Sequence, residues 1–324
     1  AQIRLADMFS QGKGAAQNTG EAAKWYLMAA QQGNADAQYH LAVMFRRGEG
    51  VAQDDAEALQ WLLKSAEQGI VAAQFNLAEM YQDGLAVPQD DAEAIKWYLK
   101  AAEQGEATAQ YNAGMMYRKG EGVAQDDAEA AKWYLRAAEQ GHTGAQINLA
   151  WLYQDGIGVA QNDADAAKWY LQAAEQGDAD AQFSIGVMYR QGRGVQKKYV
   201  EAAKWLSKSS QQGNADAQFH LGDMYRRGEG IEHDDIEAAK WLLKSAEQGN
   251  INAQCILGEM YEEGAGVGQD SAEAVKWFRR AAQQGDLSAA FHLGEMYFEG
   301  EGIGQDYAEA ASWLLKPAAQ GNVT

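Results

Sequence analysis

Apolar and small side chains follow a helical pattern that repeats every 36 residues along the whole chain. In the repeat that begins at Ala109, they stand at repeat positions 1, 5, 8 and 9, which are Ala109, Ala113, Met116 and Tyr117. Spacings of three and four residues predict a helix with one buried face, and Gly120 predicts its C-terminal end. We name this element helix A.

A second helix, helix B, is predicted in the second half of the same repeat. The segment Asp126-Asp127-Ala128-Glu129 has the pattern of a capping box, in which an aspartate caps the helix and the glutamate three residues later reaches back. Apolar side chains then recur at helical spacing, and Gly141 predicts the end of the helix. Each repeat is therefore predicted to be a helix-turn-helix.

One tryptophan per repeat marks the period, at Trp25, Trp61, Trp97, Trp133, Trp169, Trp205, Trp241, Trp277 and Trp313. Position 22 is always alanine, and position 6 is always alanine or glycine, so the helix backbones can approach closely. Such a period is typical of a solenoid, whose units bury their apolar faces against their neighbours. We predict an all-α chain with a single array over residues 1–324, whose nine repeats start at residues 1, 37, 73, 109, 145, 181, 217, 253 and 289.

The repeated pattern A-x-x-x-L-G-x-M-Y-x-x-G-x-G-V, followed by D-x-x-x-A-x-x-W-Y-x-x-A-A-x-Q-G, resembles the Sel1-like repeat family, relatives of the tetratricopeptide repeats. The resemblance implies a right-handed α/α superhelix whose helices A line the concave surface, and an adaptor or scaffold role. It does not imply one activity, because repeat folds bind many partners. By this resemblance alone, a periplasmic or secreted location is favoured over a cytoplasmic one.

Charge narrows the class of partner. The chain has 27 Lys and Arg against 46 Asp and Glu, a net charge of −19. Nucleic acids and anionic membranes bind clustered Lys and Arg, so this charge argues against both and favours a protein partner of basic or mixed charge. No apolar run approaches the length of a membrane span, so no membrane insertion is expected.

The candidate chemical motifs are better explained as structure. Glutamates such as Glu57 and Glu93 recur at one capping position, and segments such as Gly48-Glu49-Gly50 follow a helix and lack the third glycine of a nucleotide loop. The histidines at position 4 lie several repeats apart, too far to share a metal ion. We therefore expect no catalytic residue, cofactor or metal, with a hydrolase as the remote alternative.

Function is expected where the repeats differ, because the recurring positions are committed to packing. Positions 4, 7 and 11 of helix A share a face that is distinct from the packing face. At position 4, Asn76, Asn112 and Asn148 follow one another and could bind the backbone of a partner peptide. Hydrogen bonds to a neighbouring helix explain them equally well.

Position 7 carries Trp151, the one tryptophan outside the period, between Met115 and Val187 of the adjacent repeats. This is the composition of an interface hot spot, and a locally overpacked core is the alternative. Further along, acidic residues predict a groove that steers basic partners, unless they only form a solvated face. These residues are Asp223, Glu259, Glu262, Glu263, Glu295 and Glu299, with Arg226 and Arg227 at their edge.

The sixth repeat departs most from the pattern. Gln196-Lys197-Lys198-Tyr199 replaces the usual Gln-Asp-Asp loop, and residues 181–216 contain six Lys or Arg against two Asp or Glu. This change is either a contact for an acidic surface or a tolerated loss of about 1 kcal/mol of helix capping, and the sequence favours the loss. In the ninth repeat, Pro317 predicts that helix B bends or ends early.

These observations predict a bacterial-type scaffold that binds a protein on its concave face and has no chemistry of its own. One concrete hypothesis is an exported immunity or adaptor protein that neutralises a secreted bacterial toxin enzyme. The alternative is a virulence or envelope scaffold that binds a host or cell-surface protein.

Overall fold

The computed structural model describes residues 1–14 and 16–319 of the chain. Every regular element in this part is an α-helix, and the eighteen helices form nine pairs. The predicted all-α array of nine helix-turn-helix repeats is confirmed. The described helices belong to two compact units, Ala1–Gln161 and Asn162–Thr324. The single array over residues 1–324 stays a prediction.

Odd-numbered helices are the predicted helices A, and even-numbered helices are helices B. The first unit contains α1 (Gln2–Gln11), α2 (Thr19–Gln31), α3 (Ala35–Arg47), α4 (Asp55–Glu67), α5 (Val71–Asp83), α6 (Asp91–Glu103), α7 (Ala107–Lys119), α8 (Asp127–Glu139) and α9 (Thr143–Asp155). The second unit contains α10 (Asp163–Glu175), α11 (Ala179–Gln191), α12 (Tyr199–Gln211), α13 (Ala215–Arg227), α14 (Asp235–Glu247), α15 (Ile251–Glu263), α16 (Ser271–Gln283), α17 (Leu287–Glu299) and α18 (Tyr307–Ala319).

The helix ends follow the local sequence signals. The side chain of Asp126 accepts a hydrogen bond from the backbone N–H of Glu129 at 2.9 Å and so caps α8. Gly120 ends α7 in the left-handed conformation, with φ 73°. The second half of the predicted capping box is wrong, because Glu129 pairs instead with Lys132 at 2.6 Å, one turn further along the exposed helix face.

The core of each repeat forms where small residues let helices A and B approach. Ala130, at position 22, is 0% exposed, and Trp133 of the same helix is 6% exposed. A Cβ atom on Gly114, at position 6 of α7, would lie 2.7 Å from the ring of Tyr134. The ring therefore fills the space that the missing side chain leaves.

In seven of the nine repeats, the second glycine of the A–B loop lies against the preceding repeat. A Cβ atom on Gly122 would lie 2.1 Å from the carbonyl oxygen of Asp91, so only glycine fits there without a shift. This close approach explains the G-x-G pattern as packing. The third repeat carries Ala86 at this position, with φ 59°, and it is the one non-glycine residue with positive φ in the described part of the chain.

Buried glutamines join successive helices. The amide nitrogen of Gln110, at the start of α7, donates to the carbonyl oxygen of Ala102 at the end of α6, at 3.0 Å. The amide oxygen of Gln110 accepts from Gln140, just after α8, at 2.7 Å. The same side-chain pair recurs as Gln38–Gln68, Gln74–Gln104, Gln182–Gln212, Gln218–Gln248 and Gln254–Gln284. We call this set the glutamine ladder.

Helix α18 tests the prediction made for Pro317. It runs Tyr307–Ala319 and has 13 residues, the same length as the other helices B. The prediction that Pro317 ends the helix early is therefore wrong. The side chain of Pro317 lies outside the described residues.

The ladder predicts the effect of Gln254→Ala, which leaves the carbonyl of Ala246 and the amide of Gln284 without their partner. We expect the free energy of unfolding to fall by about 1 to 3 kcal/mol, the range for an orphaned buried polar group. Alanine suits the backbone here, since the ninth repeat carries Ala290 at this position. Urea unfolding followed by far-UV circular dichroism measures the change.

The matched control is Gln283→Ala, which removes an exposed glutamine beside the bonded Gln284. It should change the free energy of unfolding by less than about 0.5 kcal/mol. Equal losses in the two variants would show that the ladder adds no specific stability.

The loop geometry predicts that Ala86→Gly stabilises the protein by about 1 kcal/mol, because it relieves a left-handed conformation that alanine disfavours. The converse change, Gly122→Ala, should destabilise it by at least about 2 kcal/mol, because the new methyl group meets the backbone of Asp91. Paired melting curves measure both variants. A less stable Ala86→Gly variant would contradict this account of the loop.

Candidate partner-binding surface

The variable face of helix A is built from contacts between adjacent repeats. A side chain at position 7 faces the position-10 side chain of the repeat before it. This arrangement relates Glu79 to Arg46, Trp151 to Arg118, and Asp223 to Arg190. Repeat positions 7 and 10 look independent in the sequence, but their side chains form pairs between adjacent repeats in the structure.

Trp151 lies on α9 and is half-buried, so it is not sealed in the core. The guanidinium of Arg118, on α7, lies 4.2 Å from the centre of its ring. Together they line a cleft of about 430 Å³, whose other walls are Met115, Lys119, Gln125, Asp127 and Ile157. Because Met115 is also half-buried, the cleft presents an apolar floor to solvent.

The charges around this cleft are mixed. Arg118 and Lys119 stand on α7, and Asp127 begins α8. Lys119 also pairs with the exposed carboxylate of Glu121 at 3.4 Å. The residues of the acidic groove predicted from the sequence all belong to the second unit, whereas Trp151 belongs to the first.

The three asparagines differ in their surroundings. Asn112 faces the hydroxyl of Tyr98, on helix B of the preceding repeat, and this hydroxyl donates to Gln82 at 2.9 Å. Asn148 donates to the sulfur of Met115 at 3.5 Å and faces the hydroxyl of Tyr134. These contacts favour the neighbouring-helix interpretation for Asn112 and Asn148.

Tyr98 and Tyr134, which face Asn112 and Asn148, have raised pKa values. Burial is the main cause for both, and it raises the pKa of Tyr134 to about 12. The third asparagine, Asn76, is half-buried and lines a separate cleft of about 390 Å³ beside Tyr39, Arg46 and Glu79. Of the three, Asn76 is therefore the one that the structure leaves beside an open cleft.

The prediction that Asp223 belongs to an acidic groove open to a partner is wrong. Its side chain is only 6% exposed, and its carboxylate lies 2.5 Å from Arg190, 2.9 Å from Arg227 and 3.3 Å from Arg226. Burial alone would raise the pKa of Asp223, but the hydrogen bonds from Arg190 and Arg227 outweigh burial and lower it. Asp223 is therefore ionised and neutralised within the protein, and it offers no free charge to a partner.

Arg190 is the centre of this cluster in the second unit. Its Nε donates to Glu229 at 2.8 Å, and its Nη1 lies 2.9 Å from Nδ1 of His220. Burial and the adjacent Arg190 lower the pKa of His220. The cluster joins α11, α13 and the loop after α13, so these variable side chains hold repeats together.

The remaining predicted residues of the second unit are less enclosed. Glu263 and Glu295 are exposed and Glu259 is half-buried, so they can still meet a basic partner. Val187 is half-buried and packs against the core cluster that contains Leu206 and Leu221. Val187 thus has a packing role of its own, and its part in partner binding stays a prediction.

The described residues contain no group of three or more His, Cys, Asp or Glu side chains arranged to hold a metal ion. In the same residues, no helix combines the length and apolar character needed to span a bilayer.

Sequence reasoning missed Arg118 and Arg190. Both stand at position 10, one residue after the recurring tyrosine, where a charged residue is expected on a solvated face. A comparison of position 10 with position 7 of the next repeat could have identified them. Each arginine lies 33 residues before a variable residue at position 7, which is Trp151 for Arg118 and Asp223 for Arg190.

Comparison with known proteins identifies the repeats. The family model described as Sel1 repeat matches residues 1–34, 35–70, 71–106, 107–142, 143–178, 179–214, 215–250, 251–286 and 287–322. A comparison with curated proteins found no match.

Several solved structures are similar to the chain. A protective antigen of uropathogenic Escherichia coli that displays an SLR fold is 36% identical, with 99% of this chain and 76% of that chain covered and a TM-score of 0.81. A Sel1 repeat protein from Oxalobacter formigenes is 32% identical, with 100% and 92% covered and a TM-score of 0.71.

An immunity protein from Pseudomonas aeruginosa is 23% identical over 67% of this chain and 84% of its own, with a TM-score of 0.37, too distant to support an argument about role. The family model, by contrast, matches all nine repeats, and two solved structures exceed 30% identity over nearly the whole chain. The chain belongs to the Sel1 repeat family, whose members are scaffolds for protein–protein interaction.

Proposed function

We propose that this chain is a non-catalytic scaffold that binds a protein partner on the face formed by helices A, with Trp151 as its main anchor. The observation that carries the proposal is the half-buried state of Trp151 in an open cleft. Of the periodic tryptophans, five are buried, as Trp133 with 6% exposure illustrates, and Trp25, Trp61, Trp241 and Trp313 are half-buried. Trp151 differs from all nine by its place at position 7 of helix A.

The cleft has the features of an interface hot spot. Tryptophan, tyrosine and arginine are the residue types that most often dominate binding energy, and they do so in well-packed pockets near the centre of an interface. The guanidinium of Arg118 stacks on Trp151 at 4.2 Å, which fixes the indole ring before a partner arrives. A fixed side chain loses less conformational entropy on binding than a mobile one.

The charges support a partner of mixed charge. Beside Trp151, Arg118 and Lys119 favour an apolar partner residue that is followed by a carboxylate. In the second unit, Glu259, Glu263 and Glu295 favour basic partner residues. Asn76, Asn112, Asn148 and Val187 belong to this proposed surface in supporting positions, and Asp223 is not a contact in it.

The partner we propose is a secreted bacterial toxin enzyme, which the scaffold would neutralise as an immunity or adaptor protein. What supports this role is that the glutamates left unpaired by arginines could cover a basic catalytic surface. The alternative is a virulence or envelope scaffold that binds a host or cell-surface protein. A toxin gene next to the gene for this chain would favour the first role.

The proposal predicts that Trp151→Ala weakens partner binding by about 30-fold or more, as expected for a hot spot worth at least about 2 kcal/mol. Affinity capture from the native host identifies the partner, and titration calorimetry then measures the loss. The melting temperature should change little, because Trp151 is only half-buried.

The control for this experiment is Trp133→Ala, which removes a tryptophan of the core. It should lower the free energy of unfolding by about 3 to 5 kcal/mol. If Trp151→Ala destabilises the protein as much as Trp133→Ala does, Trp151 belongs to the core and the proposed anchor is wrong.

The exposed acidic residues predict electrostatic steering. The triple change of Glu259, Glu263 and Glu295 to Gln should slow association by roughly tenfold at low salt and flatten its salt dependence. The control changes Glu67, Glu103 and Glu139 to Gln, three exposed residues at the ends of helices B, with the same change in charge. Stopped-flow mixing that gives equal rates for both triple variants would exclude a local steering role.

A further inference from the structure

The start of helix B in repeats 6 and 7 exposes two aliphatic side chains to solvent. Val200 on α12 is 67% exposed, and Ile236 on α14 is 58% exposed. Both stand at repeat position 20, where the other repeats carry Ala56, Ala92, Ala128, Ala164, Ala272, Ala308 and Gly20. Two adjacent repeats thus place a large apolar residue where the rest of the chain has a small one.

These two residues lie on the same edge of the second unit. A Cβ atom on Gly230, in the loop that leads to α14, would lie 2.3 Å from the backbone carbon of Tyr199 at the start of α12. The beginnings of the two helices are therefore brought together by this loop. The adjacent Tyr199 and Ile231 pack against the core of the second unit, whereas Val200 and Ile236 project into solvent.

Two lysines stand beside Val200. Lys197 and Lys198 are exposed, and within the described residues neither has a carboxylate at salt-bridge distance. The nearby acids are engaged elsewhere, since Asp234 caps α14, Asp235 pairs with His233 at 3.3 Å, and Glu201 pairs with Lys204 at 3.7 Å. Lys197 lies 4.8 Å from the centre of the Tyr199 ring, and no carboxylate of the described residues neutralises either lysine, so both are available to an external anion.

Val200, Ile236 and Lys198 make the chain less stable than the residues that other repeats carry at these positions would. Val and Ile disfavour a helix relative to the alanine of other repeats, and exposed aliphatic surface is unfavourable in water. Lys198 at the N-cap of α12 accepts no capping bond, and its charge opposes the positive end of the helix dipole. Sites that break several local rules at once are typically functional.

We propose that this edge, defined by Lys197, Lys198, Val200 and Ile236, is a second docking surface for a protein segment that is acidic and aliphatic. The carboxylates of the segment pair with the two lysines, and its aliphatic side chains cover Val200 and Ile236. Charge complementarity selects this occupant, because Lys197 and Lys198 have no carboxylate at salt-bridge distance among the residues that the structure describes, although the chain has a total charge of −19. The surface is independent of the Trp151 cleft, which lies in the first unit.

The test uses the whole chain and fluorescent synthetic peptides in which leucines alternate with glutamates. Fluorescence anisotropy should show that the Val200→Ala/Ile236→Ala and the Lys197→Asp/Lys198→Asp variants each bind this peptide at least about tenfold more weakly than the unaltered chain. Peptides with lysine in place of glutamate, or serine in place of leucine, should bind no more tightly to the unaltered chain than to these variants. The charge control is Lys96→Asp/Lys132→Asp, which changes two paired lysines of the first unit and should leave the affinity unchanged.

Val200→Ala, Ile236→Ala and Lys198→Asp restore residues that other repeats carry at the same positions, and Lys197 is exposed. We therefore expect these variants to melt at the same temperature as the unaltered chain or higher. Unchanged peptide affinity in both site variants would overturn the proposal. A lower melting temperature of Val200→Ala/Ile236→Ala would also overturn it, since the residues would then serve the fold itself. Sedimentation that shows a dimer lost in that variant would assign the edge to a second copy of the chain instead.

Discussion

The structure depends on the hydrogen bonds of one buried glutamine in each of repeats 2 to 8. The last turn of a helix leaves carbonyl groups without partners inside that helix, and burying them unpaired is costly. Gln110 satisfies one such carbonyl at Ala102 with its nitrogen and binds Gln140 with its oxygen. One side chain thereby fixes the end of one helix B, the start of the next helix A and the end of the next helix B in a single register.

This constraint determines where the chain can vary. With the register held by glutamines, alanines and tryptophans, the remaining face of helix A tolerates different residues in each repeat. Some of these variable residues still stabilise the fold itself, because Arg190 and Asp223 form an ion pair that joins adjacent repeats. The proposed function assigns partner binding to side chains that remain in contact with solvent, such as Trp151 and Glu295.

The sequence predicted what depends on local or periodic signals. The helices, their aspartate caps and the glycine ends follow from neighbours in sequence, and the period predicts which residues are buried. Asp223 could not be placed, because its burial depends on Arg190, a side chain 33 residues earlier. Glu129 was assigned to the backbone although Lys132 competes for it. The glutamine ladder was missed because a periodic glutamine looks like any polar residue beside a helix end.

The central claim is that the helix A face binds its protein partner at Trp151. Photo-crosslinking tests this claim most directly. A photoreactive phenylalanine analogue is placed at position 151 in the native host, and the same analogue at position 132, on the exposed face of α8, provides the comparison. The account predicts a discrete protein adduct from position 151 and none from position 132. An adduct from position 132 alone would contradict it.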